Sequence, residues 1–418
     1  MKNQSIVSLV GMLMLGCLSF ACSSDDEATP PTENPGTPTD SLLAPVETLP
    51  PNTDYEPAFE GQTRINGVAT ETEYQVTEFA TGLSNPWGMT NLPDGRILLT
   101  EKGGTMRIIS TSGQVSNAIT GLPSVNSSGQ GGLLDVAIDP DFTTNRLVYW
   151  TFSLNGQGGT ATAVGKGRLA DDEETIENAE VIYTAIPFFN STLHYGGRLA
   201  WDGDGNLFVS TGERSDLASR PEAQELDAAL GKVLRITTDG DPVADNPFVG
   251  QQGILPEIYS YGHRNPQGLA IHPTTGDLWE VEMGPRGGDE VNLISAGDDY
   301  GWPTISYGIE YSGGPIGEGI TQQEGMEQPE YYWDPVVSPS GVTFYTGSLI
   351  SEWTNNLFLA GLSGQHVVRL VIEDNAVVGE ERLLEDEGHR FRDVLEGVDG
   401  ALYAVTDEEN ATLYRIGL

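Results

Sequence analysis

Between Ile258 and Pro303 the sequence gathers residue types suited to a charged, oxygen-rich ligand. Arg264 and Asn265 stand side by side, the guanidinium offering a rigid fork of donors and the amide both a donor and an acceptor. Further on, the Gly284-Pro285 corner is followed by Asp289 and Glu290, and backbone carbonyls with carboxylates are the hard oxygen donors that calcium prefers. A Tyr300-Gly301-Trp302-Pro303 close ends the stretch. An anion holder beside a cation holder suggests a metal-bound acidic cofactor. A loop-rich crossing between strands, with Arg264 in a surface ion pair, is the alternative that this stretch alone leaves open.

Other chemistry-bearing residues are spread along the chain. His194 sits among small and polar residues in STLHYGGRLAWDGDGNLFVSTGER, and an imidazole that titrates near neutral pH can take the proton of a hydroxyl as it is oxidised. Glu213, at the far end of the same unit, can return to the imidazole and fix its tautomer. Taken alone, such a histidine is more often a structural or surface one. Gln130 lies on the glycine-rich turn of SGQGGLLDVAIDP, where the backbone can approach a ligand closely. Arg390 and Arg392 are two apart, so in a strand they share a face and can clasp one multivalent anion, or else neutralise Asp393 or Glu396.

Positioning such distant residues requires a repeating frame, and the sequence supplies one. A tight polar turn followed by a short apolar and aromatic strand recurs six times, near Leu92, Thr143, Asp202, Pro273, Trp353 and Val398. Turn residues tolerant of positive φ, followed by β-branched or aromatic runs, mark strand-turn-strand units. Radial repetition buries such strands without long open edges, so the pattern predicts an all-β fold, a six-bladed β-propeller of four-stranded antiparallel sheets. Two stacked sandwiches are the competing arrangement, disfavoured because the copies run on without a linker.

Composition restricts function further. With 61 acidic against 20 basic side chains the formal net charge is -41, a field that repels nucleic acid and anionic lipid surfaces. Both cysteines, Cys17 and Cys22, lie in the first segment, so the body holds no disulfide and no thiolate metal site. Residues 1–21 read as a lipoprotein-type signal peptide ending before Cys22, which implies an extracytoplasmic protein anchored to a bacterial membrane by an N-terminal lipid; cleavage for free secretion is the alternative. Residues 22–54, rich in Pro, Thr, Glu and Ser, read as a disordered tether, and residues 55–418 as one propeller domain.

The ordered set of LSNPWGMTNLPDGRILLTEKGG, GQGGLLDVAIDP, HYGGRLAWDGDGNLFVSTGER, YGHRNPQGLA, GPRGGDEVNLISAGDDYGWP, SPSGVTFY and FRDVLEGVDGALYAVTDE resembles the soluble quinoprotein glucose/sorbosone dehydrogenase family, in its bacterial aldose sugar dehydrogenase branch. The resemblance implies a six-bladed propeller that binds pyrroloquinoline quinone (PQQ) with Ca2+, oxidises aldoses at C1 to lactones and passes electrons to an external acceptor. It implies that His194 is the general base, that Gln130, Arg264, Asn265, Arg390 and Arg392 hold the quinone, that Gly284 and Pro285 give main-chain ligands to its calcium, and that Glu290 and Tyr300 serve a further calcium site. Ser363 stands where the family commonly has a quinone-contacting lysine, Met283 where the branch often has His, and Glu213 where it often has Asp. The loss of a cation at Ser363 leaves open a propeller that has lost the cofactor and binds a carbohydrate or protein, and a calcium-dependent lactonase is a third possibility. Arg286 is a substitute cation if its side chain reaches the cleft.

Overall fold

The computed structural model describes residues 43–418, so the signal peptide, Cys22 and most of the expected tether lie outside the described residues. Six sheets follow one another in chain order as blades 1 to 6. Their innermost strands are Pro86–Asn91, Leu133–Ile138, Gly196–Trp201, Pro266–Ile271, Pro339–Phe344 and Phe391–Glu396. All pairings within the blades are antiparallel. Five blades have four strands and blade 1 has three, its outer position being taken by isolated bridges from Val115 and Ile119. Blade 6 is completed by the first strand, Gln75–Leu83, which pairs with the last, Ala411–Gly417.

The six sequence copies are the turns between the first and second strands of the six blades. At the same corner of each, one residue takes the left-handed backbone region: Gly95, Arg146, Gly205, Gly276, Asn355 and Gly400. Glycine and asparagine adopt it at little cost, which is why those turns look alike in sequence. Each blade then packs on the next through its own apolar cluster. Leu98 and Met106 meet Trp150 and Phe152 between blades 1 and 2, and Trp279 and Val281 meet Leu357 and Leu359 between blades 4 and 5. Comparable clusters fill the other four junctions.

At the ring's centre sits one buried guanidinium. Arg198 Nη1 lies 3.1 Å from both Asp135 Oδ1 and Asp393 Oδ1, and its Nε donates to the Gln267 carbonyl. The second oxygens of the two carboxylates accept from the amides of Leu199 and Met89 at 2.8 Å. Side chains on Gly88 or Gly341 would collide with these aspartates, so both positions admit only glycine. The network therefore touches the inner strands of all six blades. Asp393 is committed here, and not to Arg390 or Arg392.

The structure corrects one boundary. From Leu43 the expected tether is laid against blades 4 and 5: Leu43 pairs with Gly67, which pairs with Glu380, and Asn52 and Thr53 grip the buried carboxylate of Asp334. Arg64 fastens the same segment through the carbonyls of Glu47, Leu49 and Asp334. Composition gave no sign of this, because the segment is held by polar bonds to distant residues and buries few apolar side chains of its own.

Replacing Arg198 with Met should destabilise the protein by roughly 3–5 kcal/mol, because two buried carboxylates lose their cation. A urea unfolding midpoint unchanged from wild type would show that the central network does not hold the blades together.

Candidate active site

The residues just before the inner strands converge at one end of the ring. Asn85, Gln130, His194, Arg264, Ser338, Arg390 and Arg392 line one open cavity of about 700 Å³, together with Gly284 and Pro285. That volume suits a cofactor or drug-sized ligand. The cavity therefore brings together most of the expected site.

His194 and Glu213 form its buried pair. His194 Nδ1 lies 2.6 Å from Glu213 Oε1, whose own position is held by the Ser215 amide. With the carboxylate ionised, Nδ1 carries the proton, which leaves Nε2 as the free lone pair of the ring. The loop is fixed from several sides. Gln130 Oε1 accepts from the His194 amide at 2.7 Å, Arg214 stacks 3.6 Å over Tyr195 and donates to the Ser191 carbonyl, and the absence of a side chain at Gly212 makes room for the His194 carbonyl. His194 itself adopts φ 45°, uncommon for a residue with a side chain and held here by that framing. Burial, and next the positive charge of Arg264, push its pKa down to about 4, against the opposing pull of Glu213. The imidazole is thus neutral at pH 7 and able to accept a proton.

Glu282 sets the Arg-Asn pair: its Oε2 accepts from the amides of Arg264 at 2.6 Å and Asn265 at 3.0 Å. Arg264 then spans the Met283 and Gly284 carbonyls, both at 2.7 Å from Nη1, and lies over Trp302. Asn265, expected to hold the quinone, stands behind the wall. Its Oδ1 accepts from the Gly196 amide and from Gln267, which tie the edges of blades 3 and 4. Asp289 is not an open metal ligand, since its two oxygens accept from the Gly284 and Ser338 amides and so pin the Gly-Pro corner.

Beside the cleft, Glu282, Glu290, Tyr300, Gly284 and Pro285 border a small second pocket. Glu282 and Glu290 face each other across paired strands, as do Glu280 and Asn292. Burial, with the charge of Glu282 next, pushes the Glu280 and Glu290 carboxyls well above the usual range. His263, Glu280 and Glu282 also offer ligand atoms within 4.8 Å of one another. Crowded buried carboxylates with nearby carbonyls are a donor set that fits a divalent cation. The Tyr300 hydroxyl is spent on the Leu293 carbonyl and the Ser295 amide, so any ligand role for Tyr300 falls to its main chain.

Arg390 and Arg392 do share a partner, but it is Asp407, at 3.3 and 2.9 Å. Although burial works against it, the charges of Arg392 and Arg390 hold the Asp407 carboxyl below its usual range. Ser363 bonds to Ser338 at 2.7 Å and brings no charge. Lys102, Trp87, Arg286 and Asn52 line the cleft without having been singled out for it, Arg286 excepted as a conditional substitute. Lys102 stands in the LTEKGG turn next to a recognised corner, a signal that the sequence did offer. Five cations thus face one carboxylate in the lining of a chain whose formal charge is -41.

A family model described as glucose/sorbosone dehydrogenase matches residues 83–415. The chain is 41% identical over 337 residues to the aldose sugar dehydrogenase YliI of Escherichia coli, covering 80% of this chain and 90% of that protein. It is 28% identical over 404 residues to quinoprotein glucose dehydrogenase B of Acinetobacter calcoaceticus, covering 78% of this chain and 84% of that one. The PQQ-bound aldose sugar dehydrogenase of Streptomyces coelicolor superposes with a TM-score of 0.68 at 29% identity, over 83% of this chain and all of that structure.

Because the Arg264 charge helps to depress the imidazole, Arg264→Gln should move the His194 pKa up from about 4 toward its ordinary 6.5. The imidazole proton shifts in an NMR titration read this directly; an unmoved midpoint would remove Arg264 as a cause.

Proposed function

The chain belongs to the glucose/sorbosone dehydrogenase family and is an oxidoreductase, and on that footing we propose that it oxidises aldose sugars at C1 to lactones, using PQQ and Ca2+ and releasing electrons to an external acceptor. The observation that carries this reading is the buried His194–Glu213 pair opening onto a cation-lined cleft. Retention of that pair favours an enzyme over a propeller reduced to binding.

When bound, the quinone supplies the two-electron acceptor and calcium polarises its carbonyl as a Lewis acid. Arg264, Arg390, Arg392 and Lys102 are the cations that would balance its carboxylates, with Gln130 beside them. The Gly284 and Pro285 carbonyls would hold the adjoining calcium, and Glu290 with the main chain of Tyr300 a further one. The sugar loses a hydride from C1 and a proton from its C1 hydroxyl. His194 takes that proton at Nε2, while Glu213 holds Nδ1–H and favours the imidazolium as it forms. The depressed pKa then makes His194 release the proton readily, resetting the base for the next turnover. No nucleophilic side chain is required for this chemistry.

For its setting, the leader read in residues 1–21 and the cysteine at position 22 support an extracytoplasmic lipoprotein, reached by sugars and acceptors outside the cytoplasm.

Purified protein supplied with PQQ and calcium should reduce a dye with aldoses; failure of every sugar together with loss of quinone absorbance on gel filtration would defeat the proposal. His194→Ala should abolish turnover with the quinone still bound. Glu213→Gln should lower kcat by about a hundredfold or more, since the imidazole loses its fixed tautomer and its counter-charge; a normal kcat would exclude Glu213 from the reaction.

A further inference from the structure

We propose that Arg286, oriented by Asn52 of the N-terminal segment, is a carboxylate-binding residue at the mouth of the cleft. The inference deepens the reading above and rests on it. Asn52 lies outside the stretch matched by the family model, which begins at residue 83. It nevertheless lines the cleft, beside Arg286.

Asn52 is held there with unusual completeness. Its amide lies 2.9 Å from both oxygens of Asp334, its Nδ2 donates to Asp334 Oδ1 at 2.7 Å, and Thr53 adds its own amide and hydroxyl at 3.0 Å. Asp334 is buried, so this carboxylate is consumed in fixing the segment. The Asn52 side-chain oxygen then points at Arg286 and accepts from its Nε at 3.0 Å.

Arg286 is fixed at its backbone as well. It follows the Gly284-Pro285 corner and exchanges both main-chain hydrogen bonds with Ile309 at 3.0 Å. Its side chain is exposed, and among the described residues no carboxylate lies within ion-pair distance of it. This sets it apart from Arg390 and Arg392, which share Asp407.

The choice of an amide as its partner matters. An asparagine oxygen orients a guanidinium without cancelling its charge, whereas an aspartate in the same place would neutralise it. Contact through Nε alone leaves the two terminal nitrogens as a fork matched to a carboxylate. Ser338, also in the cleft lining, and Ser363 bonded to it offer only hydroxyls and no further cation. The carboxylate has two possible sources in this cleft: the quinone, or an acidic sugar such as a uronic acid.

The test compares wild type with Arg286→Gln and Asn52→Ala, both at positions where no apolar core is disturbed. Quinone affinity is read by quenching of tryptophan fluorescence in the presence of calcium, and KM is read for glucose and for glucuronic acid. If the quinone is the source, Arg286→Gln weakens its binding by about tenfold or more, the scale of a lost charge-assisted hydrogen bond. If the sugar is the source, quinone affinity holds and KM for glucuronic acid rises about tenfold more than KM for glucose. Asn52→Ala should move the same quantity in the same direction by a smaller factor, with kcat kept. Quinone affinity and both KM values within about twofold of wild type in Arg286→Gln would overturn the inference alone. A wild type that binds no quinone overturns the dehydrogenase reading, and this inference with it.

Discussion

A single guanidinium at the axis governs the geometry of the rest. Arg198 sits between two aspartates contributed by blades 2 and 6; Asp135 also fixes the Leu199 amide of Arg198's own strand, and Asp393 the Met89 amide of blade 1. A buried charge without partners is costly, and a buried charge with partners from every side enforces where those partners stand. The inner strands are consequently held in mutual register just below the cleft. Because His194, Arg264, Ser338 and Arg390 stand just before inner strands and Arg392 within one, their separation follows from that central bond set. Trp87, part of the cleft lining, stacks on the same guanidinium at 4.4 Å, so floor and scaffold are one structure.

Above that floor the electrostatics reverse. The chain carries a large negative charge, yet its cleft concentrates arginine and lysine against one aspartate. A field of this kind keeps the molecule soluble and repels polyanions at large while leaving one place where a small anion is welcomed. The same cations bear on the base: together with burial, Arg264 holds His194 neutral, and Glu213 supplies the opposing pull. The charges that would bind an acidic cofactor are thus also those that prepare the imidazole to accept a proton.

Much of the frame was legible because it rests on local rules. Each blade turn needs a left-handed corner, and Gly95, Gly205, Gly276 and Gly400 announce it directly, while Arg146 and Asn355 fill the same corner less conspicuously. Residue type likewise flagged His194, Arg264 and the Arg390/Arg392 pair, all of which reach the cleft. Direction was not legible. Asn265 follows Arg264 immediately but turns into the protein, since its side chain is needed by Gly196 and Gln267. Partners on other strands were hidden for the same reason: Asp407 answers Arg392 from 15 positions away, Asp393 answers Arg198 from 195, and Asp334 answers Asn52 from 282.

Blade 6 has a consequence for how the molecule comes into being. Its outer strand, Gln75–Leu83, is made well before the strand it must zip onto, Ala411–Gly417, with 338 positions between the paired Thr77 and Arg415. Throughout synthesis the leading strand carries an unpaired edge, the kind of surface on which separate chains stick together. Joining the two ends also demands closing a very long loop, an entropic step that local hairpins never face. The clasp therefore acts as a check on the ring: a polypeptide broken off before Ala411 keeps an open seam on blade 6, and the ring closes only when these two distant strands have met.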